Sequence, residues 1–209
     1  MKTNKMFSNS ITKEIVRNSL VGNKNGSFDK KISNTGRRLN SKPISAAVLV
    51  LIVGHQSGAK VVLTKRSKNL THHAGQISFP GGRVDEQDDN LETTALRETN
   101  EEIGISPNTI NILGRLPDYD VLTGFRITPI VGWAKYALEY FPAYEEVDEV
   151  FELPLNFILE PKNSVKHSKT IDGVIREYYS ISYEGRYVWG ATAAILVNLS
   201  HAIRLHACN

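Results

Sequence analysis

The sequence predicts an α/β protein in which helices cover both faces of a mixed β-sheet. Three observations lead to this fold class. Apolar, strand-like runs open the body of the chain, a helix bounded by turn residues follows them, and a second amphipathic helix ends the chain after further strands. Each element must bury one apolar face, and alternating strands and helices do so by stacking in layers. The expected architecture is an α/β/α sandwich with a central mixed β-sheet.

The first two strands are expected to form a hairpin. Residues 44–53 and residues 61–64 are apolar runs, and residues 54–60 between them have the composition of a turn. The first run is far shorter than the roughly 20 apolar residues of a membrane-spanning helix. We therefore expect a soluble protein without a membrane span.

The later elements follow from periodicity and turn residues. Further strands are predicted at residues 110–113, 127–137, 174–183 and 187–189. Pro129 has no N–H group, which should confine its strand to a sheet edge or place the proline at the start of the strand. A loop is expected at residues 119–124, and an acidic turn at residues 145–152 before a short helix near 155–159. The last helix is predicted at residues 191–205, where apolar side chains recur at helical spacing.

The positive charge of the chain comes from its N-terminal segment. Residues 1–42 contain ten Lys and Arg against two acidic residues, whereas the rest of the chain contains fifteen against twenty. The net charge of +3 is therefore no evidence for a nucleic-acid groove, and no nucleic-acid partner is expected. The composition of residues 1–42 favours a basic, largely flexible extension, with helical spacing of apolar residues at 11–20. The folded domain is expected to span residues 43–209.

The chain carries few signals of location. No apolar segment near Met1 is long enough for a secretory signal. The single cysteine, Cys208, excludes an intrachain disulfide, which fits a reducing compartment. A cytoplasmic location is expected, with organelle targeting by the basic N-terminus as the secondary alternative.

Residues 79–105 join a glycine turn to an acidic helix. A proline and two glycines punctuate the turn. Either Asp89 or Asn90 is suited to cap the helix N-terminus, and Gly104 is suited to end the helix in the left-handed conformation. The sequence therefore bounds this helix at both ends.

Three carboxylates share one face of this helix. At 100° per residue, Glu98, Glu101 and Glu102 lie within an arc of about 100°. Like charges repel at this spacing, and the helix dipole disfavours acidic residues in the C-terminal half. One interpretation is an ordinary solvated helix face. The other is a site for Mg²⁺ or Mn²⁺, which prefer oxygen ligands and would cancel the repulsion.

The order of residues in this stretch resembles a known family motif. The stretch contains, in order, Gly82, Asp88, Arg97-Glu98, Glu101-Glu102 and Gly104. This pattern resembles the motif of the Nudix hydrolases, which cleave nucleoside diphosphates linked to another group. Three positions depart from the general motif: Asp88 replaces a glutamate, Arg97 comes one residue later, and Thr99 replaces an apolar residue. The resemblance implies a Nudix-type α/β/α sandwich.

The longer spacing before Arg97 is similar to that of the coenzyme A pyrophosphatase branch of the Nudix hydrolases, which also has a motif upstream. The residues that match the upstream motif are Leu63-Thr64-Lys65-Arg66-Ser67, Gly75 and Phe79-Pro80-Gly81-Gly82. Thr71 departs from it, because the branch usually has a basic residue at that position. The resemblance covers residues 63–105.

The resemblance implies a metal site on the acidic helix. The implied metal ligands are Glu98, Glu102, Glu101 and the backbone of Gly82. Arg97 is expected to pair with one of these carboxylates and fix its rotamer. The general base is implied to be either a glutamate of the helix, such as Glu101, or one from a later loop. Glu149 is the loop candidate and Glu146 the alternative, and a solvated loop acid is the other interpretation of either residue.

The upstream motif implies a set of substrate contacts. These are Arg66, Gly75, Phe79 and Gly81. Arg66 would bind a phosphate of the substrate, although an ordinary cation at a strand end fits the sequence equally well. Adjacent His72 and His73 are poor candidates for metal ligands, because hard cations prefer oxygen and neighbouring strand residues point to opposite faces.

Several aromatic residues have two interpretations. Trp189 and Tyr187 are candidates for stacking on a nucleobase, but core packing is the commoner role of such side chains. The same two interpretations apply to Phe79 and Phe125.

The function implied by the resemblance is that of a pyrophosphatase dependent on Mg²⁺ or Mn²⁺. Its substrate would be coenzyme A or an acyl-coenzyme A, which it would hydrolyse to 3′,5′-ADP and a 4′-phosphopantetheine product. One alternative keeps the reaction and changes the substrate to ADP-ribose, a dinucleotide or a nucleoside triphosphate. Another is a catalytically silent Nudix fold used as a binding module. The oligomeric state stays open, with a homodimer among the options.

Overall fold

The computed structural model describes residues 11–21, 43–135, 138–171 and 173–207 of the 209-residue chain. The predicted flexibility of most of residues 1–42, and Cys208, lie outside the described residues. Within the described part, none of the helices combines the length and the apolar character that are needed to cross a lipid bilayer.

The centre of the fold is a mixed, eight-stranded sheet. Its strands are β1 (Ile44–His55), β2 (Gly58–Arg66), β3 (Ile77–Ser78), β4 (Gly81–Arg83), β5 (Asn111–Arg115), β6 (Tyr119–Asp120), β7 (Phe125–Lys135) and β8 (Val147–Pro154). β1 pairs in parallel with β7 and antiparallel with β2 and β4, and β8 pairs antiparallel with β2. The predicted hairpin of β1 and β2 is present, and its turn is shorter than predicted.

A smaller antiparallel sheet of three strands follows. It consists of β9 (Ser164–Ile171), β10 (Val174–Tyr183) and β11 (Arg186–Trp189), with β10 in the middle. The helices are α1 (Lys13–Val21), α2 (Leu91–Ile103), α3 (Leu155–Leu159) and α4 (Gly190–Ala207).

Helices cover both faces of the large sheet, as the sequence predicts. Leu49 and Leu51 of β1 pack in one apolar cluster with α2, whereas Val50 and Ile52 pack in a second cluster with α3, α4 and the small sheet. β1 is therefore buried on both faces. A strand in this position reads as a continuous apolar run rather than as an alternating one, which explains residues 44–53.

The helix α1 belongs to this core. Val16 and Leu20 are buried in the cluster that α4 and β5 share, and Arg17 Nη2 donates a hydrogen bond of 3.0 Å to Asn111 Oδ1. The close packing is visible at Gly114, where an added Cβ would lie 3.3 Å from Leu20 Cδ1. A domain boundary at residue 43 therefore excludes a helix that the fold uses.

Two local predictions are wrong. Residues 145–152 are mostly strand β8 rather than an acidic turn, because Val147, Phe151 and Leu153 are buried. Pro129 lies inside β7, a central strand, and not at an edge or at the start. Leu116 N–H donates to Pro129 O at 2.9 Å, and Leu116 lies between the end of β5 and the start of β6. The N–H and C=O groups of one strand residue point to the same side, so the missing N–H of Pro129 also faces this break between β5 and β6. No hydrogen bond of the β5 or β6 ladder is lost there.

Candidate active site

The acidic helix α2 is bounded as the sequence predicts. Asn90, rather than Asp89, caps it: the Asn90 Oδ1 accepts hydrogen bonds from the backbone N–H groups of Glu92 at 2.9 Å and Thr93 at 3.0 Å. Gly104 ends the helix with φ 72°, and its N–H donates to Asn100 O at 2.9 Å. The fixed ends set the rotation of α2, and hence the direction in which its glutamates point.

Two glycines bring the backbone of β4 against this helix. An added Cβ at Gly82 would lie 2.5 Å from both carboxylate oxygens of Glu98. At Gly81, where φ is 146°, an added Cβ would lie 2.5 Å from Val48 Cα. Only glycine fits at residue 81, whereas a side chain at residue 82 would require the Glu98 carboxylate to move. The result is a backbone edge in direct contact with the Glu98 carboxylate.

Glu102 is a buried carboxylate with a spare oxygen. Its side chain is 4% exposed, and its nearest cation, Arg66, has Nη1 3.8 Å from Glu102 Oε1. Oε2 has no hydrogen-bond partner. Burial raises the pKa of Glu102 to about 8, although the Arg66 charge and the Gly81 N–H lower it in part. A buried oxygen without a partner is costly, so this atom fits a position where a cation binds.

Arg97 organises the other carboxylates. Its Nη1 donates to Glu98 Oε1 at 3.0 Å and to Glu101 Oε2 at 2.8 Å, while its Nε and Nη2 each donate to Asp88 at 2.9 Å. Asp88 is 2% exposed and also accepts from the Thr94 hydroxyl at 2.9 Å. Arg97 therefore lowers the pKa of Asp88 far below its ordinary range. Asp88 is one of the three positions at which the chain departs from the general motif, and it anchors Arg97, a role that the motif does not reveal.

The two halves of the upstream motif meet at Arg66. Thr64 pairs with Ser78 and Lys65 with Ile77, while Arg66 N–H donates to Gln76 O at 2.9 Å and Gly75 N–H donates to Arg66 O at 3.1 Å. The side chain of Arg66 is directed to Glu102, and its buried Nε–H has no hydrogen-bond partner. A buried guanidinium N–H without a hydrogen-bond partner is suited to bind an anion.

The residues around Thr71 lie in a turn outside the strands. Thr71, His72 and His73 are exposed, and His73 has φ 58° and a contact of 3.0 Å between its Nδ1 and Gln76 Oε1. The reasoning from strand faces therefore does not apply to the two histidines. In the part of the chain that the structure describes, no three His, Cys, Asp or Glu side chains converge on one metal position.

A cavity of about 990 Å³ opens beside Gly81 and Gly82, and Gly82 is in contact with the Glu98 carboxylate. Arg66, Gly81 and Gly82 line one part of it, the segment Tyr119 to Ile127 another, and β10 with the start of α4 a third. Most of the lining is apolar, which is typical of sites that bind a substrate larger than a simple phosphate.

The predicted site residues that line this cavity are Arg66, Gly81 and Gly82. The α2 residues Arg97, Glu98, Glu101 and Glu102 are not part of its lining, and neither are Phe79, Gly75 and Glu149. Phe79 is 3% exposed and packs in the core cluster, and Gly75 contributes backbone hydrogen bonds only. Glu149 lies on β8, and its carboxylate accepts hydrogen bonds from Arg186, whose guanidinium stacks 4.5 Å above Phe151. Phe151 belongs to the cluster of α4 and the small sheet, so Glu149 is on the face of the sheet that is opposite α2.

Of the two candidates for a general base outside α2, Glu146 lies closer to the α2 carboxylates than Glu149 does. It is exposed, and its backbone C=O accepts a hydrogen bond from Ser67 N–H at 2.8 Å. Burial raises the pKa of both Glu98 and Glu102, and the charge of Glu146 raises each of them further. Glu146 is therefore within electrostatic reach of both carboxylates.

Phe79 fits the core-packing interpretation, but Trp189 and Tyr187 do not. Trp189 is 44% exposed and Tyr187 51% exposed, so neither is a core residue. Trp189 and Phe125 line the cavity, whereas Tyr187 does not.

The residues present fit a divalent cation that is shared with a substrate. Mg²⁺ is usually held by one or two carboxylates together with water and substrate phosphates, rather than by a complete protein cage. Glu102 offers an oxygen without a partner, and Glu98 lies against the exposed edge at Gly82. Glu101, like Glu98, accepts a hydrogen bond from Arg97, but it is 57% exposed, which makes it the weaker candidate for a metal ligand.

Comparison with known proteins agrees with this geometry. Residues 43–174 match the family model described as NUDIX domain. The chain belongs to the Nudix family. A Nudix hydrolase NudL of Pectobacterium atrosepticum, described as uncharacterized, is 39% identical over 155 residues, which are 74% of this chain and 80% of that protein. A NudL of Citrobacter koseri is 39% identical over 165 residues, which are 79% of this chain and 84% of the relative.

Solved structures of Nudix proteins are more distant. The Nudix hydrolase RenU of M. smegmatis superposes with a TM-score of 0.48 and 22% identity over 60% of this chain and 78% of that protein. A MutT/nudix family protein from Enterococcus faecalis has a TM-score of 0.48 and 15% identity over 93% of this chain and 74% of that protein. As a Nudix hydrolase, the enzyme acts on pyrophosphate bonds of small nucleotide derivatives with the aid of a divalent cation.

Proposed function

We propose that this Nudix hydrolase cleaves the diphosphate of coenzyme A or of an acyl-coenzyme A. Water would add to one phosphorus atom and the bridging P–O bond would break, which gives 3′,5′-ADP and 4′-phosphopantetheine or its acyl form. A cytoplasmic location fits such a substrate.

The observation that carries the proposal is the environment of Arg66. Arg66, Gly81 and Gly82 of the motif that resembles the coenzyme A branch line the cavity. Arg66 carries a buried N–H without a hydrogen-bond partner and lies 3.8 Å from the Glu102 carboxylate. Arginine binds phosphate oxygens through paired donors. The cavity beside it, about 990 Å³ and mostly apolar, has room for a long substrate arm such as pantetheine, whose methyl and methylene groups it would contact.

Each residue of the cluster would have a separate task. Glu102 and Glu98 would hold the divalent cation, with the backbone of Gly82 beside them, and the Gly81 N–H would orient Glu102. Arg97, fixed by Asp88, would position Glu98 and Glu101. Arg66 would bind a phosphate oxygen of the substrate. Glu146, which is exposed and near both metal-binding carboxylates, would accept the proton of the attacking water.

The cation, when bound, would lower the pKa of water and offset the charge of the diphosphate. Cleavage of a phosphoric anhydride requires mainly charge neutralisation and a well-placed water. Together with the bound cation, Arg66 would offset the charge and Glu146 would activate the water, so no covalent intermediate is needed.

A product assay with purified protein tests the proposal. Coenzyme A, acetyl-coenzyme A, ADP-ribose and a dinucleotide are incubated separately with Mg²⁺ or Mn²⁺, and the products are separated by chromatography. We expect 3′,5′-ADP from both coenzyme A substrates. Efficient turnover of ADP-ribose without turnover of coenzyme A would contradict the substrate assignment, and no turnover of any substrate would favour a silent binding module.

A further inference from the structure

We infer that the small sheet binds the adenosine 3′-phosphate end of the substrate, with the base stacked on Trp189 and the 3′-phosphate bound by Arg176. This inference rests on the proposed coenzyme A substrate. It names the part of the protein that would distinguish coenzyme A from nucleotides without a 3′-phosphate. No part of it involves the carboxylate cluster.

The first observation is an aromatic corner in the cavity wall. Tyr178 and Trp189 both line the cavity, with ring centroids 6.4 Å apart and planes inclined by 76°. The indole of Trp189 is 44% exposed. A flat base stacked on the indole would therefore also meet the ring of Tyr178 at its edge, and base-on-aromatic stacking is a strong and general mode of nucleotide binding.

The second observation is that this corner is held in place before any ligand binds. His167 lies opposite Tyr178 in the β9–β10 pair, and their rings stack with centroids 4.9 Å apart and planes inclined by 20°. His167 Nε2 is in turn 2.7 Å from the hydroxyl of buried Ser180. A rigid aromatic surface loses little conformational entropy on binding, which favours affinity.

The third observation is the charge beside the aromatic corner. Arg176 lines the cavity two residues before Tyr178, on the same face of β10, and lies opposite Lys169 of β9. Arginine matches the geometry of a phosphate. The distinctive phosphate of coenzyme A would thus lie next to its own base.

The sheet itself provides a matched control for stacking. Tyr187 lies two residues before Trp189 on the same strand and is 51% exposed, but it does not line the cavity. Its removal therefore changes the exposed aromatic surface of the sheet without changing the inferred site. Lys162 is an exposed cation outside the cavity and serves as the control for Arg176.

Binding is measured by calorimetry on the metal-free full-length protein, with 3′,5′-ADP and 5′-AMP as probes. We expect the wild type to bind 3′,5′-ADP about tenfold more tightly than 5′-AMP. Trp189→Leu should weaken both by about tenfold, and Trp189→Phe should restore most of the loss. Arg176→Gln should weaken only 3′,5′-ADP, to the level of 5′-AMP. Tyr187→Leu and Lys162→Gln should bind as the wild type does.

Several results would overturn the inference. These are unchanged binding by Trp189→Leu, equal losses with Tyr187→Leu, or equal losses of both probes with Arg176→Gln. Tyr178→Leu provides a second variant in case Trp189→Leu does not fold. A change of oligomeric state with Trp189→Leu and Tyr178→Leu in size-exclusion chromatography, with unchanged nucleotide binding, would instead assign the corner to a subunit interface.

The substrate proposal can fail separately. If the enzyme hydrolyses ADP-ribose and not coenzyme A, the proposed function is wrong. The stacking site would still stand if Trp189→Leu raises KM for ADP-ribose about tenfold with little change in kcat, and it would fall if KM is unchanged.

Discussion

Gly82 and Glu98 are in such close contact that any side chain at residue 82 must move the glutamate: a Cβ at Gly82 would lie 2.5 Å from both carboxylate oxygens of Glu98. Gly82→Ala should therefore displace the Glu98 carboxylate and lower kcat on the order of 100-fold, an effect comparable to the loss of a residue that supports a metal site. The measurement is the steady-state rate at saturating Mg²⁺.

The control for this substitution is Gly185→Ala. Gly185 lies in the turn before β11 with φ 75°, and an added Cβ would meet no atom within 4 Å. It should lose some stability through its left-handed backbone but keep the wild-type kcat. Equal activity of Gly82→Ala and the wild type would show that Glu98 does not need its present position.

Glu102→Gln should abolish turnover and leave the fold intact. The pKa of Glu102 is raised to about 8 by burial, so in the absence of a cation this side chain is mostly neutral at pH 7 and a neutral amide replaces it without loss of charge. We expect a kcat at least about 100-fold lower, with a melting temperature of the metal-free protein close to that of the wild type. Mg²⁺ should raise the melting temperature of the wild type and not of the variant.

Glu101→Gln is the comparison within the same helix. Glu101 is 57% exposed, and we expect a smaller loss of kcat, on the order of tenfold, through the altered position of Arg97. A larger loss than that of Glu102→Gln would make Glu101 the principal ligand or base.

Asp88→Asn should destabilise the protein in a manner that depends on pH. The Arg97 guanidinium lowers the pKa of Asp88 in the folded state below the unfolded value of about 3.9. Asp88 therefore contributes stability above that pH and loses it as the pH falls through the folded-state pKa. In urea titrations we expect a loss of about 1–3 kcal/mol at pH 7, as for charged hydrogen bonds, which shrinks below about pH 4.

The neighbouring Asp89→Asn provides the control for Asp88. Asp89 is exposed and does not cap α2. Its substitution should leave the free energy of unfolding unchanged within about 0.5 kcal/mol at every pH. A pH-independent loss in Asp88→Asn would indicate that packing rather than the ion pair is responsible.

Glu146→Gln should lower kcat more than Glu149→Gln does. Glu146 is near Glu98 and Glu102, whereas the Glu149 carboxylate is bound to Arg186 on the other side of the sheet. We expect a loss on the order of 100-fold for a general base and at most a few-fold for Glu149→Gln. The reverse order of kcat values would restore the sequence-based prediction for Glu149.

Leu20→Ala should destabilise the whole domain. Leu20 is buried in the core that α1, α4 and β5 share, and leucine-to-alanine changes in such positions cost about 2–5 kcal/mol. Chemical denaturation measures the loss, and Asn18→Ala, at an exposed position of the same helix, should have little effect. A loss below about 1 kcal/mol would show that α1 is only loosely attached.

The sequence predicts the acidic helix well because its information is local. A cap, a terminal glycine and a period of 3.6 residues fix which side chains share a face, so Glu98, Glu101 and Glu102 could be grouped from the sequence alone. The position of Glu149 could not be predicted. The register of β8 against β2 shifts between Lys65 and Arg66, and such a bulge changes the face to which every following residue points. The role of Asp88 depends on contacts nine residues away, and spacing does not reveal them.

The cavity wall contributed by the small sheet has a consequence for how this enzyme can evolve. The match to the family model ends at residue 174, whereas Arg176, Tyr178 and Trp189 lie beyond it. The groups proposed to break the bond and the groups inferred to choose the nucleotide are thus encoded in separate stretches of the chain. Substitutions in the second stretch can change the substrate while the chemistry stays intact, so two relatives that share the first stretch need not share a metabolic task.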